Sequence, residues 1–164
     1  MDALVADQLT QFRKVFAGVN LAAARRRHLT PYDVLIIASM VEAESQTERD
    51  RRNVASVIYN RLAQKMPLQI DATTRYATGN YTSPLTVSQL HSNSPYNTRI
   101  RLGLPPTPID NPGLASIEAA ANPPSTNFLY FVVKPCGNGE MTFTVNYQQF
   151  LADAQRYQAA RAQR

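Results

Sequence analysis

Residues 30–46, TPYDVLIIASMVEAESQ, decide how the rest of the chain is read. Thr30 suits an N-cap and Pro31 the first helical position. Asp33, three residues after the cap, can neutralise free N–H groups, so a helix is expected to start here. At about 100° per residue, Ile37, Met40 and Val41 share one stripe with Glu44, while Leu35 and Ala38 lie nearer the side of Glu42. A helix that is apolar on several sides is a buried helix. Glu44 then sits on the apolar stripe in the last turn. Desolvation and the negative end of the helix dipole both penalise its charged form there, and a raised pKa is expected.

Composition sets the outer limits. A chain of 164 residues fits one domain with a real core. Hydrophobic content of 44% against 18% charged residues excludes wholesale disorder. The net charge of +5 favours an anionic partner, whether nucleic acid, anionic lipid or an acidic cell-envelope polymer, without choosing among them. Cys136 is the only cysteine, which excludes an internal disulfide and a Cys-based zinc site and leaves a structural thiol in a turn as its reading. No run approaches the roughly 18 apolar residues of a membrane span, and residues 1–20 lack signal-peptide features, so the chain as it stands is expected to be soluble.

In chain order, Leu4, Val5, Leu9, Phe12, Phe16 and Val19 recur at helical spacing and predict an amphipathic helix over 3–19. Arg25, Arg26 and Arg27 are read as a solvated connection, with a polyanion contact as the alternative. Thr47 with Asp50 starts a second helix, buried through Val54, Val57, Ile58 and Leu62 and stopped by Pro67. Segment 68–94 is expected to form extended strands or a lobe of loops, and the proline-rich segment 94–113 a stiff loop. Asn111-Pro112 predicts a short helix over 112–121. Residues 128–134, FLYFVVK, and 141–145, MTFTV, predict a β-hairpin about the Cys136-Gly137-Asn138-Gly139 turn. Asn146 with Gln149 opens a terminal helix to about Ala160. The fold class is therefore α+β, in a single domain over 1–164: an N-terminal helix and basic connection over 1–29, a core over 30–150 and a helix end over 151–164.

Glu44 is the one carboxylate that helical phase sets against apolar neighbours, and a carboxyl kept protonated near neutral pH is what a general acid needs. Burial alone leaves this open against an ion pair with Arg49, Arg51 or Arg52. Asp71 is either a second catalytic carboxylate or a loop-fixing residue. His28 and His91 are isolated, phosphate-binding glycine loops are absent, and no lysine sits in an obviously apolar pocket. Metal, triad and Schiff-base chemistry therefore gain little support, and no cofactor is implied.

Six stretches, ASMVEAESQTERDRRNVASVIYNRL (38–62), LQIDATTRYATG (68–79), SPYNTRIRLGLPPTPIDNPG (94–113), SIEAAANPP (116–124), LYFVVK (129–134) and TFTVN (142–146), together resemble the YceG-like, MltG-type endolytic murein transglycosylases. The resemblance implies a lysozyme-like helical domain with a small hairpin and loop lobe, a lyase that cuts peptidoglycan glycan strands within the chain. It implies that Glu44, the second Glu of V-E-x-E, is general acid and then base, and that the 6-hydroxyl of N-acetylmuramic acid closes onto C1 to leave a 1,6-anhydro end. Ser45, Gln69, Asp71, Tyr96, Asn97, Thr98 and Asn146 fall on the family's patterned positions and are expected to contact sugars or orient Glu44, with loop-holding as the alternative for each. Ala72 replaces the usual proline, and Met141 and Asn122 stand where His is frequent. The resemblance covers the catalytic part, without the family's membrane anchor and LysM-like domain. It implies glycan strands as substrate, cell-wall synthases as candidate partners, no nucleic acid, and a place on the extracytoplasmic face of the bacterial membrane. A non-catalytic peptidoglycan-binding module is the alternative function.

Overall fold

The computed structural model describes residues 2–135 and 139–163. The chain runs α1 (Asp2–Ala17), α2 (Ala22–Arg25), α3 (Pro31–Glu44), α4 (Glu48–Ala63), α5 (Asp71–Thr78), α6 (Val87–Leu90), α7 (Leu114–Ala121), β1 (Tyr130–Val133), β2 (Met141–Thr144) and α8 (Tyr147–Ala162). The class is α+β, with one two-stranded antiparallel sheet among the described residues. None of the described helices is long and apolar enough to cross a membrane.

The start of α3 is built as its sequence requires. Thr30 Oγ1 accepts the Asp33 N–H at 3.1 Å while the Asp33 carboxylate accepts the Thr30 N–H at 2.8 Å, a reciprocal capping box ahead of Pro31. Val34, Ile36, Ile37, Ala38, Met40 and Val41 are all buried, so α3 is enclosed on more than one side. Helices α7 and α4 pack on it, with Ile117 and Ala120 from the first and Val54 and Ile58 from the second completing the core. Large side chains at such positions each contribute about 2–5 kcal/mol relative to Ala.

Helix α4 fixes the hairpin to this core. Its N-cap Thr47 accepts the Asp50 N–H, and the wholly buried Asp50 carboxylate takes the Met141 N–H at 3.1 Å on one oxygen and the Arg49 guanidinium at 2.9 Å on the other. Near the far end of α4, Asn60 donates to the carbonyls of Thr126 and Phe128, both at 2.9 Å. The strands then pair with Tyr130 opposite Thr144 and Val133 opposite Met141. Asn146 caps α8 by accepting the N–H groups of Gln148 and Gln149, and α8 lies along the hairpin.

Three expectations need correction. Segment 68–94 holds no strand but two short helices, α5 and α6, joined by loops. Thr73 and Thr74 favour strand by propensity, but the Thr73 hydroxyl bonds Ile70 O at 2.7 Å and pairs with Thr98 Oγ1 at 2.9 Å, and these contacts decide the conformation. Gly79, with φ of 67°, ends α5 in the left-handed region that glycine adopts freely. Secondly, α7 starts two residues later than predicted, with Gly113 as N-cap. The Glu42 carboxylate from α3 accepts the N–H of that N-cap residue at 3.0 Å. Thirdly, the basic connection contains the single helical turn α2, and Arg27 stacks over the Tyr59 ring, 4.9 Å from its centroid. Cys136, Gly137 and Asn138, the predicted turn and its thiol, lie outside the described residues.

Candidate active site

Glu44 is the last residue of α3, and its side chain leaves the core to meet the start of α5. The N-cap residue of α5 is Ile70, whose side chain cannot accept a hydrogen bond. Glu44 Oε1 supplies the missing acceptor, taking the Ala72 N–H at 3.2 Å. Part of Glu44 opens onto a cleft, yet burial dominates its electrostatics and the carboxyl is pushed up to about 7. The Ala72 N–H opposes that rise, the Asp71 charge adds to it, and Arg75 and Arg99 oppose it more weakly. The raised pKa expected from helical phase is thus present, and none of Arg49, Arg51 and Arg52 is ion-paired to Glu44.

Glu42, two residues earlier, shows the opposite behaviour. The Ser116 hydroxyl at 2.6 Å is the main influence holding its carboxylate below the usual range, with the Gly113 N–H and Arg51 acting in the same direction. Two carboxylates on one turn are driven apart by their surroundings, the arrangement that separates a proton donor from a structural anion.

The cleft beside Glu44 has a volume of about 410 Å³. Gln69, Asp71, Arg61 and Arg99 line it together with residues of the hairpin and α8. Gln69 has φ of 57°, a left-handed conformation uncommon for a residue with a side chain, and it is held there by its N–H to Thr98 O at 3.0 Å and by Arg61 Nη1 donating to its Oε1 at 3.1 Å. Arg61 also donates to the carbonyls of Leu129, Pro67 and Leu68, and its guanidinium faces the Tyr130 ring at 5.1 Å. Asp71 is ion-paired with Arg99. A larger groove, about 760 Å³, lies between the end of α1, α4 and α7, but its carboxylates Glu48 and Glu118 are exposed to solvent.

Of the residues predicted for the site, the structure brings Glu44, Gln69 and Asp71 together in one cleft. The others do not line it. Ser45 is buried, and its hydroxyl has no hydrogen-bond partner among the described residues. Tyr96 packs on Tyr76 with ring centroids 4.9 Å apart and bonds the Thr107 hydroxyl. Asn97 is fully buried, its amide donating to the carbonyls of Leu90 and Ser92 and its oxygen accepting the Arg99 N–H. Thr98 is buried too and accepts the Ile70 N–H. These two side chains stand behind the wall that carries Gln69 and Asp71. Asn146 is used in capping α8.

Sequence reading placed α8 but missed its part in the cleft, along with Arg61 and Arg99. Arg61 follows Val54, Val57 and Ile58 at helical spacing, so a charge on the buried stripe of α4 was the available signal. The spacing of Tyr147, Phe150, Ala154 and Tyr157 was the signal for α8. Arg99, in an irregular loop, offered none.

The described residues hold no cluster of metal-ligating side chains. Comparison with known proteins adds an identity to this geometry. An endolytic murein transglycosylase of Bacillus subtilis (strain 168) is 40% identical over 133 residues, 81% of this chain and 36% of the relative. One of Streptococcus pneumoniae (strain ATCC BAA-255 / R6) is 33% identical over 137 residues, 80% of this chain and 25% of the relative. The chain therefore spans a quarter to about a third of the length of these relatives. The crystal structure of a YceG-like protein from Listeria monocytogenes superposes with a TM-score of 0.73 at 34% identity, covering 88% of this chain and 44% of that one. The model of the YceG-like family matches residues 1–156, and the chain belongs to that family.

Proposed function

We propose that this domain is a peptidoglycan lytic transglycosylase that cuts glycan strands internally, between N-acetylmuramic acid and N-acetylglucosamine, without consuming water. The observation that carries the reading is Glu44: a carboxyl with a pKa of about 7, at the junction of two helices and open to a cleft. Near neutral pH about half of such groups hold a proton, which suits a group that must first give one and then take one. In the first step the carboxyl protonates the glycosidic oxygen as the bond to C1 breaks, and the shortened strand departs as an alcohol. In the second the muramyl 6-hydroxyl bonds to C1, its proton passes to the Glu44 carboxylate, and the acid is restored. Positioned acid–base catalysis of this kind contributes roughly 10²–10⁴ in rate.

Asp71 is engaged by Arg99, so a single carboxyl serves both steps in this mechanism. Asn97, Thr98 and Tyr96 hold the loop behind the cleft, and Gln69 presents its amide to the sugar. The relatives' names support the polymer as substrate. The reading places the domain at the cell envelope, outside the cytoplasmic membrane, where wall synthases are its candidate partners. The test is Glu44→Gln on purified sacculi. The native chain is expected to release muropeptides with anhydro ends, lighter by one water than hydrolysed ends, and the folded variant none. Undiminished release by the variant removes Glu44 from the mechanism, and binding without any change in the muropeptide profile makes the domain a wall-binding module.

A further inference from the structure

Helix α8 is 16 residues long and contributes no fully buried residue to the described core. Tyr147, Phe150, Ala154 and Tyr157, at steps of three, four and three, form one stripe along it, and all four line the cleft that holds Glu44. Tyr147 is 52% exposed. Its ring lies 6.0 Å from Phe150 with an interplanar angle of 26° and 5.4 Å from Tyr130, whose ring in turn faces the Arg61 guanidinium. The aromatic ledge thus rests against a buried arginine whose Nε and Nη1 are held by hydrogen bonds.

The cleft also has a polar lining. Arg61 fixes the Gln69 oxygen as an acceptor, which leaves the Gln69 amide group free to donate to a ligand. A groove lined both by rings and by an amide donor matches a pyranose, whose C–H faces are apolar and whose hydroxyl and N-acetyl edges are polar. The ten helical steps from Tyr147 to Tyr157 rise about 15 Å, more than one sugar ring requires. We propose that Tyr147 and Tyr157 stack on sugar rings of an N-acetylated β-linked glycan, forming a binding subsite on α8 beyond the bond that Glu44 cleaves.

This inference rests on the glycan reading of the cleft, and the experiment separates the two. Binding of the N-acetylglucosamine hexamer is measured by calorimetry on the full chain carrying Glu44→Gln, alone and combined with Tyr147→Ala, Tyr147→Leu, Tyr147→Phe or Tyr157→Ala. Cleavage of sacculi is measured on the tyrosine variants with Glu44 intact. Each Ala variant is expected to weaken binding about tenfold, the equivalent of about 1.4 kcal/mol. Tyr147→Leu keeps apolar bulk against the hairpin and is expected to fold normally yet lose the same affinity, while Tyr147→Phe retains it. In cleavage, KM should rise with kcat unchanged, because a remote ring binds ground state and transition state alike. Ala and Leu variants that bind and cut like their parents overturn the subsite and leave the stripe as a seat for another polypeptide segment. Failure of the parent chains both to bind the hexamer and to cut sacculi overturns the glycan reading and the subsite with it.

Discussion

Replacing Glu44 by Gln should abolish activity and yet stabilise the protein, by an amount that depends on pH. The native carboxyl has a pKa of about 7 against an ordinary value of 4.5, raised chiefly by burial. Between those values the folded chain keeps a proton that the unfolded chain has lost. The unfolded state then binds fewer protons, so stability falls as pH rises through this window. At about 1.36 kcal/mol per pH unit the full loss is roughly 3.4 kcal/mol, reached once pH exceeds 7 and absent below 4.5. Solvent in the cleft screens part of this, and about 2 kcal/mol is a reasonable expectation. Gln cannot ionise, and its side-chain oxygen can still accept the Ala72 N–H. The variant should therefore match the native chain near pH 4.5 and exceed it by about 2 kcal/mol at pH 8, or roughly 4–8 °C in Tm for a chain of this size. Urea and thermal denaturation of both proteins across this range measure the difference. A difference that stays constant from pH 4.5 to 8 would show that Glu44 titrates as an ordinary surface carboxylate, and the reasoning for its role as acid would fall with it.

Two further perturbations act on the same constellation. Ala72→Pro keeps a residue tolerated in the first turn of α5 but removes the N–H that Glu44 accepts, so the acid form should persist to higher pH and the alkaline limb of the pH–activity profile should move upward. Ala72→Gly, which retains the N–H, should leave that limb in place, and an unmoved limb in the proline variant refutes the tuning. Arg61→Met strips the buried carbonyls of Leu129, Pro67 and Leu68 of their donor and frees the Gln69 side chain. It should cost about 2–4 kcal/mol in urea denaturation and raise KM, whereas a loss under about 0.5 kcal/mol would show that water replaces the guanidinium without penalty.

What could be read from the chain in advance, and what could not, divides along the range of the interactions. The capping box of α3, the N-caps of α4 and α8, the buried stripe of α3, the hairpin and the last-turn position of Glu44 follow from residues within one or two turns of one another, so spacing was enough. Segment 68–79 was misread because its helix is decided elsewhere. Thr98 Oγ1 accepts the Ile70 N–H and donates to the Thr73 hydroxyl oxygen, and Glu44, from a different helix, caps its first turn. The same applies to α7, whose cap is Glu42, 71 residues before Gly113. Helices α5 and α7 each take a carboxylate of α3 in place of a side-chain cap of their own. The consequence for Glu44 is chemical as well as structural. Because α5 lacks its own cap, its free N–H points at the acid and favours the carboxylate, while burial favours the protonated form, and a pKa of about 7 is where these two opposing effects meet. A site-forming segment that capped itself would have been easier to read from sequence, and would have left Glu44 without the donor that holds it ready for the second proton transfer.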